Sequence, residues 1–269
     1  VPVGLMLLGL IGLCQLLAWD KVSARPALKK FLLPLSITLV GMILMLVFGV
    51  RHPVVLLVCG FGSFIVLTRG TELGKTVLTR RKTLQKSYGQ VFITTIIAQK
   101  RRYAGSLVHV GIALICMGIA TSSAYQLKQD VELRPKESVT LGDIRFQYDQ
   151  LTIHADARKS SVAAEISVYH HERKLATVIP EKWFYEQAQS QDPQMTTEIG
   201  LYTSLTRDIY VILTGWKDDQ TAMFTLIMNP LILWIWIGGF VVFTLGIVVA
   251  ILPRSWGRMP DPKTIAPEE

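Results

Sequence analysis

The stretch RRYAGSLVHVGIALICMGIATSSAY, residues 101–125, sets the architecture of the chain. It is an apolar run of helix length, with two arginines at its entrance and one histidine, His109, inside it. Its length suits a membrane-crossing helix. An ionisable side chain at membrane depth is costly, so by default it stands there as a functional hypothesis. Wound at about 100° per residue, the run puts His109 on one face with Gly105, Ser106, Ala113, Cys116 and Ala120. The bulky Leu107, Val110, Leu114, Ile115 and Ile119 point elsewhere. A face of small side chains lets something approach the backbone closely. That object is either a flat macrocycle ligated through the imidazole or another helix. Ligation or proton handling and an interhelical hydrogen bond both remain open readings of His109. Gly111 and Gly118 make a second small stripe on the opposite side, which reads as plain helix packing.

The rest of the chain agrees with a membrane setting. Half of its 269 residues are hydrophobic and its mean hydropathy is +0.38, too apolar for a soluble protein of this size. Spans are expected at 1–19, 31–50, 54–68, 104–123 and 224–252, about five transmembrane helices. Pro34 is tolerable in the first turn of the second. The chain starts at Val1 inside an apolar run, which points to a piece of a larger protein, and no cleavable signal peptide is evident. Cys14, Cys59 and Cys116 each sit in an apolar run without metal spacing and read as small buried residues.

Charge gives the orientation. Basic residues gather at 20–30, at 69–102 (Arg69, Lys75, Arg80, Arg81, Lys82, Lys86, Lys100, Arg101 and Arg102) and at 254–263. The positive-inside rule assigns these segments to the cytoplasm. The 51–53 turn and the region 125–222 then lie outside. That outer region holds 11 basic and 15 acidic residues, so the chain's net charge of +8 resides in the inner loops. The basic charge reads as a topology determinant near lipid headgroups and not as a nucleic-acid surface. Within the basic stretch, 91–98 is apolar but too short to span, and reads as an interfacial amphipathic helix.

Residues 125–222 read as a small β domain, a barrel or a sandwich. Apolar and polar residues alternate over 144–153 and, less cleanly, over 161–169, 174–179 and 208–213. Turn signals are Leu141-Gly142-Asp143, Asp192-Pro193 and Gly215. His154, His170 and His171 read as surface residues, the last two pointing to opposite strand faces. No nucleophile elbow, phosphate loop, zinc helix motif or dinucleotide fingerprint is present, so no catalytic side chain is assigned.

Three ordered stretches carry a family resemblance: RRYAGSLVHVGIALICMGIATSSAY at 101–125; LRPKESVTLGDIRFQY at 133–148 with PEKWFY at 180–185 and TRDIYVIL at 206–213; and NPLILWIWIGGFVVFTLG at 229–246. In order and spacing they resemble the C-terminal part of the CcmF/NrfE family of cytochrome c-type biogenesis proteins. The resemblance implies an integral protein of the bacterial inner membrane that receives heme from a chaperone and helps attach it to apocytochrome c outside the membrane. It also implies a b-type heme within the membrane, held by two histidines on different helices. His109 matches the second of these. The family's Trp-rich heme-handling segment, its external heme-binding histidines and its first intramembrane histidine belong to an N-terminal part that this sequence does not contain. Trp234 and Trp236 are not that segment and read as interfacial anchors. Ala104-Gly105 departs from the Gly-Gly expected of the family.

The residues themselves agree that a second axial imidazole must come from elsewhere, since His52 falls in an outer turn, across the membrane. The N-terminal part of the same protein or a companion chain would supply it; Met42 and Met45 are chemical substitutes. Arg101 and Arg102, about 10 Å from His109 by helical rise, are candidate contacts for heme propionates.

The expected layout is therefore an α-helical integral membrane protein with one extracytoplasmic β domain. It has four helices and a basic cytoplasmic loop (69–102) in 1–124, the β domain in 125–222, and a final helix with a cytoplasmic tail in 223–269. The expected function is a supporting part of a heme lyase, contributing His109 to heme b. Thioether formation then needs ferrous heme, thiols and proximity, and no side-chain nucleophile. A non-enzymatic membrane anchor that presents the β domain to other assembly subunits is the alternative.

Overall fold

The structure is a computed structural model and describes residues 2–17, 24–85, 87–156, 159–185 and 194–251. The chain divides into two compact units, one helical (Val1–Ala120 with Trp234–Glu269) and one of β-strands (Thr121–Leu233).

The helical unit comprises α1 (Pro2–Leu17), α2 (Ala24–Val47), α3 (Pro53–Leu84), α4 (Tyr88–Ala98), α5 (Lys100–Tyr125) and α6 (Ile232–Ile251). Among the described residues, α3, α5 and α6 are long and apolar enough to cross a membrane. Val3–Gly12, Leu32–Val47 and Tyr88–Ala98 are shorter apolar stretches. Of the five expected spans, those at 54–68, 104–123 and 224–252 coincide with these three helices.

The basic segment 69–102 is not a loop. Helix α3 carries on for 32 residues, about 48 Å at the α-helical rise. Its later turns are rich in Thr, Leu, Lys and Arg and lack proline, so nothing breaks the helix there. Arg81 and Lys82 sit in the last turn, where cations complement the helix dipole. The helix ends at Gln85 in a left-handed conformation, its amide donating to the Arg81 carbonyl. The short apolar stretch 91–98 is helical, as expected, and packs its buried Val91 and Thr95 against α3.

Small residues let the helices approach. A Cβ on Gly60 would meet Met42 Sδ at 2.8 Å, bringing α2 onto α3. A Cβ on Gly111 would run into Val242 Cγ2 and meet the Gly238 carbonyl at 2.7 Å, so α5 and α6 touch at their glycines. The stripe at Gly111 is therefore a packing face, as its sequence suggests. Helix α6 carries a π-helical segment, Val241–Gly246, where it passes α5.

Among the described residues the β unit has ten strands: β1 (Leu127–Leu133), β2 (Ser138–Leu141), β3 (Ile144–Asp156), β4 (Lys159–His170), β5 (Arg173–Val178), β6 (Glu181–Tyr185), β7 (Gln194–Glu198), β8 (Gly200–Thr203), β9 (Arg207–Trp216) and β10 (Ala222–Pro230). One sheet runs β1-β10-β9-β8; the other runs β2-β3-β4-β6-β7, with β5 also paired to β4. All pairings are antiparallel. Tyr148 and Phe224, one from each sheet, meet edge to face at 5.3 Å among Phe146, Ile166, Val211 and Leu213. Each such fully buried side chain contributes about 1.5–3 kcal/mol.

The four strands expected at 144–153, 161–169, 174–179 and 208–213 are present as β3, β4, β5 and β9. Two boundaries change. Residues 222–230 form β10, so the last helix starts at Ile232 and not near 224. The switch is local: Pro230 ends the strand and Leu231 turns the chain with φ +57. Gly215 is not a turn but lies in β9, beside the bulge where Phe224 pairs with Leu213 and Met223 with Gly215. Gly142, at φ +62, does make the predicted tight turn between β2 and β3. Asp192-Pro193 falls outside the described residues.

Candidate cofactor site

Helices α3 and α5 run antiparallel. Gly62 lies against Met117 and Ala113, while Glu72 pairs with Arg102. These two contacts bracket Arg69 and His109 and bring them level to within about a helical turn.

Two enclosed nitrogens define this spot. His109 Nδ1 and Arg69 Nε are both buried, and neither has a hydrogen-bond partner. His109 as a residue is only half-buried, so its exposure lies on the rest of the side chain. Arg69 Nη1 donates to Glu72 Oε2 at 3.2 Å. Glu72 Oε1 accepts from Arg102 Nη2, and Arg102 Nη1 donates to Gln99 Oε1 at 3.4 Å. One carboxylate thus sits between two guanidiniums, leaving one net positive charge. Glu72 is the sole acidic residue between Asp20 and Asp130.

The face around His109 divides in two. Ala113 and Ala120 are buried in a cluster with Leu8 and Ile11 of α1 and Val58 and Ile65 of α3, with Cys116 packed against it. That half is closed by helix packing and offers no approach to a macrocycle. Toward the other end Gly105 is exposed, and a Cβ there would meet nothing within 4 Å. The open half of the face is therefore the Gly105 side.

The arginines also divide differently from the sequence reading. Arg101 is exposed, and Arg102 already has its fork engaged by Glu72. Arg69, taken in the sequence as the first residue of a basic loop, is the arginine beside His109. The signal that could have singled it out is the Arg69/Glu72 pair at i, i+3, because a lone carboxylate in so long a basic and apolar stretch needs a reason.

No second imidazole joins His109 within the helical unit. His52 precedes α3 and is exposed, about 25 Å from Arg69 along the helix. Met42 is spent against Gly60. The other histidines belong to the β unit. His154 is exposed, whereas His170 Nε2 lies 3.0 Å from Asp143 Oδ2. His170 and His171 do not point to opposite strand faces. His171 stands in the β4–β5 turn at φ +53, and the two rings meet edge to face at 4.3 Å. Asp143 also accepts from Arg207 Nη1. Its desolvation pulls the carboxyl upward, but the Arg207 hydrogen bond, with the Arg207 and His170 charges, outweighs this and holds it below the usual carboxylate range. Among the described residues no group of three His, Cys, Asp or Glu is placed to hold a metal ion.

Comparison with known proteins gives a consistent answer. Residues 124–230 match the family described as the CcmF C-terminal beta-sandwich. The cytochrome c-type biogenesis protein CcmF of Pseudomonas aeruginosa is 30% identical over 197 residues, which cover 73% of this chain and 26% of that protein. CcmF of Escherichia coli is 29% identical over 160 residues, or 60% of this chain and 24% of that protein. The chain thus spans about a quarter of the length of these relatives. A solved structure titled cytochrome c heme lyase CcmF superposes with a TM-score of 0.67 at 22% identity. The match covers 94% of this chain and 39% of that one, and shows a common fold.

Proposed function

From the premise that this chain belongs to the CcmF family and corresponds to its C-terminal part, we propose that it serves cytochrome c maturation as a supporting part of a heme lyase. In this reading the helical unit lies in the bacterial inner membrane and contributes one axial ligand, His109, to a b-type heme. The β unit stands on the periplasmic side, where apocytochrome c is handled, and the C-terminus is cytoplasmic. The N-terminal part of the protein, or a companion chain, brings the second histidine and the surface that takes heme from its chaperone.

One observation carries the assignment of His109: a buried ring nitrogen without a partner, in the apolar length of a helix that is open on its Gly105 side. An unsatisfied buried polar atom costs about 1–3 kcal/mol. Such a cost is retained where a ligand or function requires it. The surroundings suit a neutral imidazole: small side chains along one face, and no carboxylate among the residues named around the ring other than Glu72, which the two arginines hold. A b-type heme bound there would supply one-electron redox chemistry. The chain's own residues orient the ring and exclude water through the α1–α3–α5 packing.

The β unit contributes no catalytic group in this account. Its closed core makes it a rigid body on which surface strands and turns present a binding face. Reconstitution tests the whole reading. Membranes containing this chain together with its N-terminal counterpart are purified, and pyridine hemochrome gives the b-type heme per complex. One heme bound through the helical unit is the expected result. A complex that matures cytochrome c with no b-type heme in it would leave the chain as an anchor and docking module.

A further inference from the structure

The Arg69–Glu72–Arg102 cluster is more than an inner-end topology signal. Arg69 directly follows the apolar length 53–68 of α3 and is largely covered there. Placing a guanidinium there is expensive unless its charge is paired and its donors are used. Glu72 answers only part of that demand. It is shared with Arg102, so the three groups keep one uncompensated positive charge. Arg69 Nε is enclosed without an acceptor. No other carboxylate is present in the sequence between Asp20 and Asp130, so these helices offer Arg69 no second carboxylate.

The place of that unmet donor is specific. It is level with His109, whose Nδ1 is the other enclosed and unpartnered nitrogen of α3 and α5. Beside them the helix surface is open at Gly105. A planar ligand with an acidic edge fits the combination: a ring-nitrogen ligand for its centre and a cation with a free N–H for its edge. A guanidinium recognises a carboxylate through paired N–H donors and stays charged when desolvated.

We propose that Arg69 binds a carboxylate of the macrocycle that His109 ligates, and that Glu72 and Arg102 act as positioning residues that hold the Arg69 fork toward it. This rests on the reading of His109 as a ligand. It replaces Arg101 and Arg102 as the direct propionate contacts, since Arg101 is exposed and Arg102 is engaged by Glu72.

The test uses the assembled complex, stripped of heme and reloaded with either protoheme or its dimethyl ester, which keeps the ring and iron but lacks the free acids. Wild-type complex should bind protoheme at least tenfold tighter than the ester. Arg69→Gln should bind both alike, near the wild-type affinity for the ester. It should also show a lower reduction midpoint potential, because a positive charge near the ring is gone. Arg69→Lys keeps the charge without the fork, so it should recover the potential more fully than the discrimination. Arg102→Gln should loosen discrimination less than Arg69→Gln. His109→Gln separates the two ideas. If His109→Gln loses the heme signal while Arg69→Gln still favours protoheme tenfold, the Arg69 assignment is wrong and the ligand assignment stands. If His109→Gln keeps the wild-type spectrum, the ligand reading itself is overturned. Should Arg69→Gln fail to accumulate, Arg69→Lys and Glu72→Gln with the same two ligands decide the matter. Equal discrimination in both, with unchanged potential, contradicts the proposal.

Discussion

In the β unit, Phe146, Tyr148, Ile166, Leu213 and Phe224 are shut away from solvent. In the helical unit, Met6, Phe48, Trp236 and Ile251 are more than two-thirds exposed, and much of α2 is open as well. The β unit buries a large apolar core, although Ile153 and Leu205 stay exposed on it, while the helical unit leaves many more of its large apolar side chains open. A sandwich can do so because strands alternate, with one face for the core and one for water. A few helices in contact along glycine stripes leave most of their circumference uncovered, which is the normal surface of helices that face lipid or further helices. Polar groups divide less cleanly, since Asp208 Oδ1 and Thr221 Oγ1 of the β unit are also buried without a partner. In the β unit Tyr148 hydroxyl donates to the Gln220 carbonyl at 3.0 Å, and Lys182 Nζ donates to the Thr214 carbonyl at 2.5 Å. In the helical unit two nitrogens stay unmet side by side. The unit with the large closed core reads as scaffold, and the one with more uncovered apolar surface as the place where something else binds.

Sidedness offers an all-or-none way to break this contrast. A reporter active only outside the cytoplasm, fused in the β4–β5 turn after Glu172, should be active. The same reporter after Gln85, at the end of α3, should be silent. The reverse pattern would remove the proposed topology.

Core truncation should hit one unit hard. Phe146→Ala should destabilise the β unit by about 3–5 kcal/mol, seen as rapid protease cleavage between 127 and 230, with the heme spectrum of the complex retained. Simultaneous loss of both would mean that the two units fold as one.

Glycine substitutions sharpen the contrast within α5. Gly111→Leu drives a side chain into Val242 and the Gly238 backbone, and should cost about 1–3 kcal/mol or more by overpacking, lowering the melting temperature of the purified complex. At Gly105 an added Cβ meets nothing within 4 Å, and Gly105→Leu places its side chain on that open surface. It should leave that melting temperature unchanged in the heme-free complex and still reduce heme loading, by crowding the open half of the His109 face. Equal effects from the two would show that the Gly105 side is not an approach.

The smallest effect lies in the turn cluster of the β unit. Asp143 is held below the ordinary carboxylate range in the folded state. Its contribution is therefore fully present above that range and is lost as pH falls through the depressed value. The group is partly exposed, so screening limits its worth to about 0.2–1 kcal/mol. Asp143→Asn should lower the β unit's stability slightly at neutral pH and not at all in strong acid, measured by thermal unfolding across that range.

What the sequence revealed follows the strength of its periodic signals. β3, β4, β5 and β9 alternate in their residues and were legible. β10 was not, because AMFTLIMNP runs unbroken into LILWIWIGGF, and a continuous apolar stretch cannot by itself be divided into strand and helix. β1, LKQDVEL, is an edge strand with mostly exposed side chains, so it carries almost no hydrophobic pattern. At the candidate site, His109 was legible as the only histidine clearly within an apolar span. Arg69 was not, since reading a charge run as a loop hides which charge turns inward. The closed half of the His109 face was equally hidden, because small residues suit a cofactor and a neighbouring helix alike, and Ala113 and Ala120 turn out to serve the helix.

The central claim is that His109 is an axial ligand to heme, and it is tested most directly by the dithionite-reduced absorption spectrum of the assembled complex carrying His109→Gln. Glutamine keeps a hydrogen-bonding group of similar reach, so a packing role survives the change and an imidazole ligand does not. The account predicts loss of the b-type bands with the complex still assembled. A full b-type spectrum at the wild-type midpoint potential would contradict it.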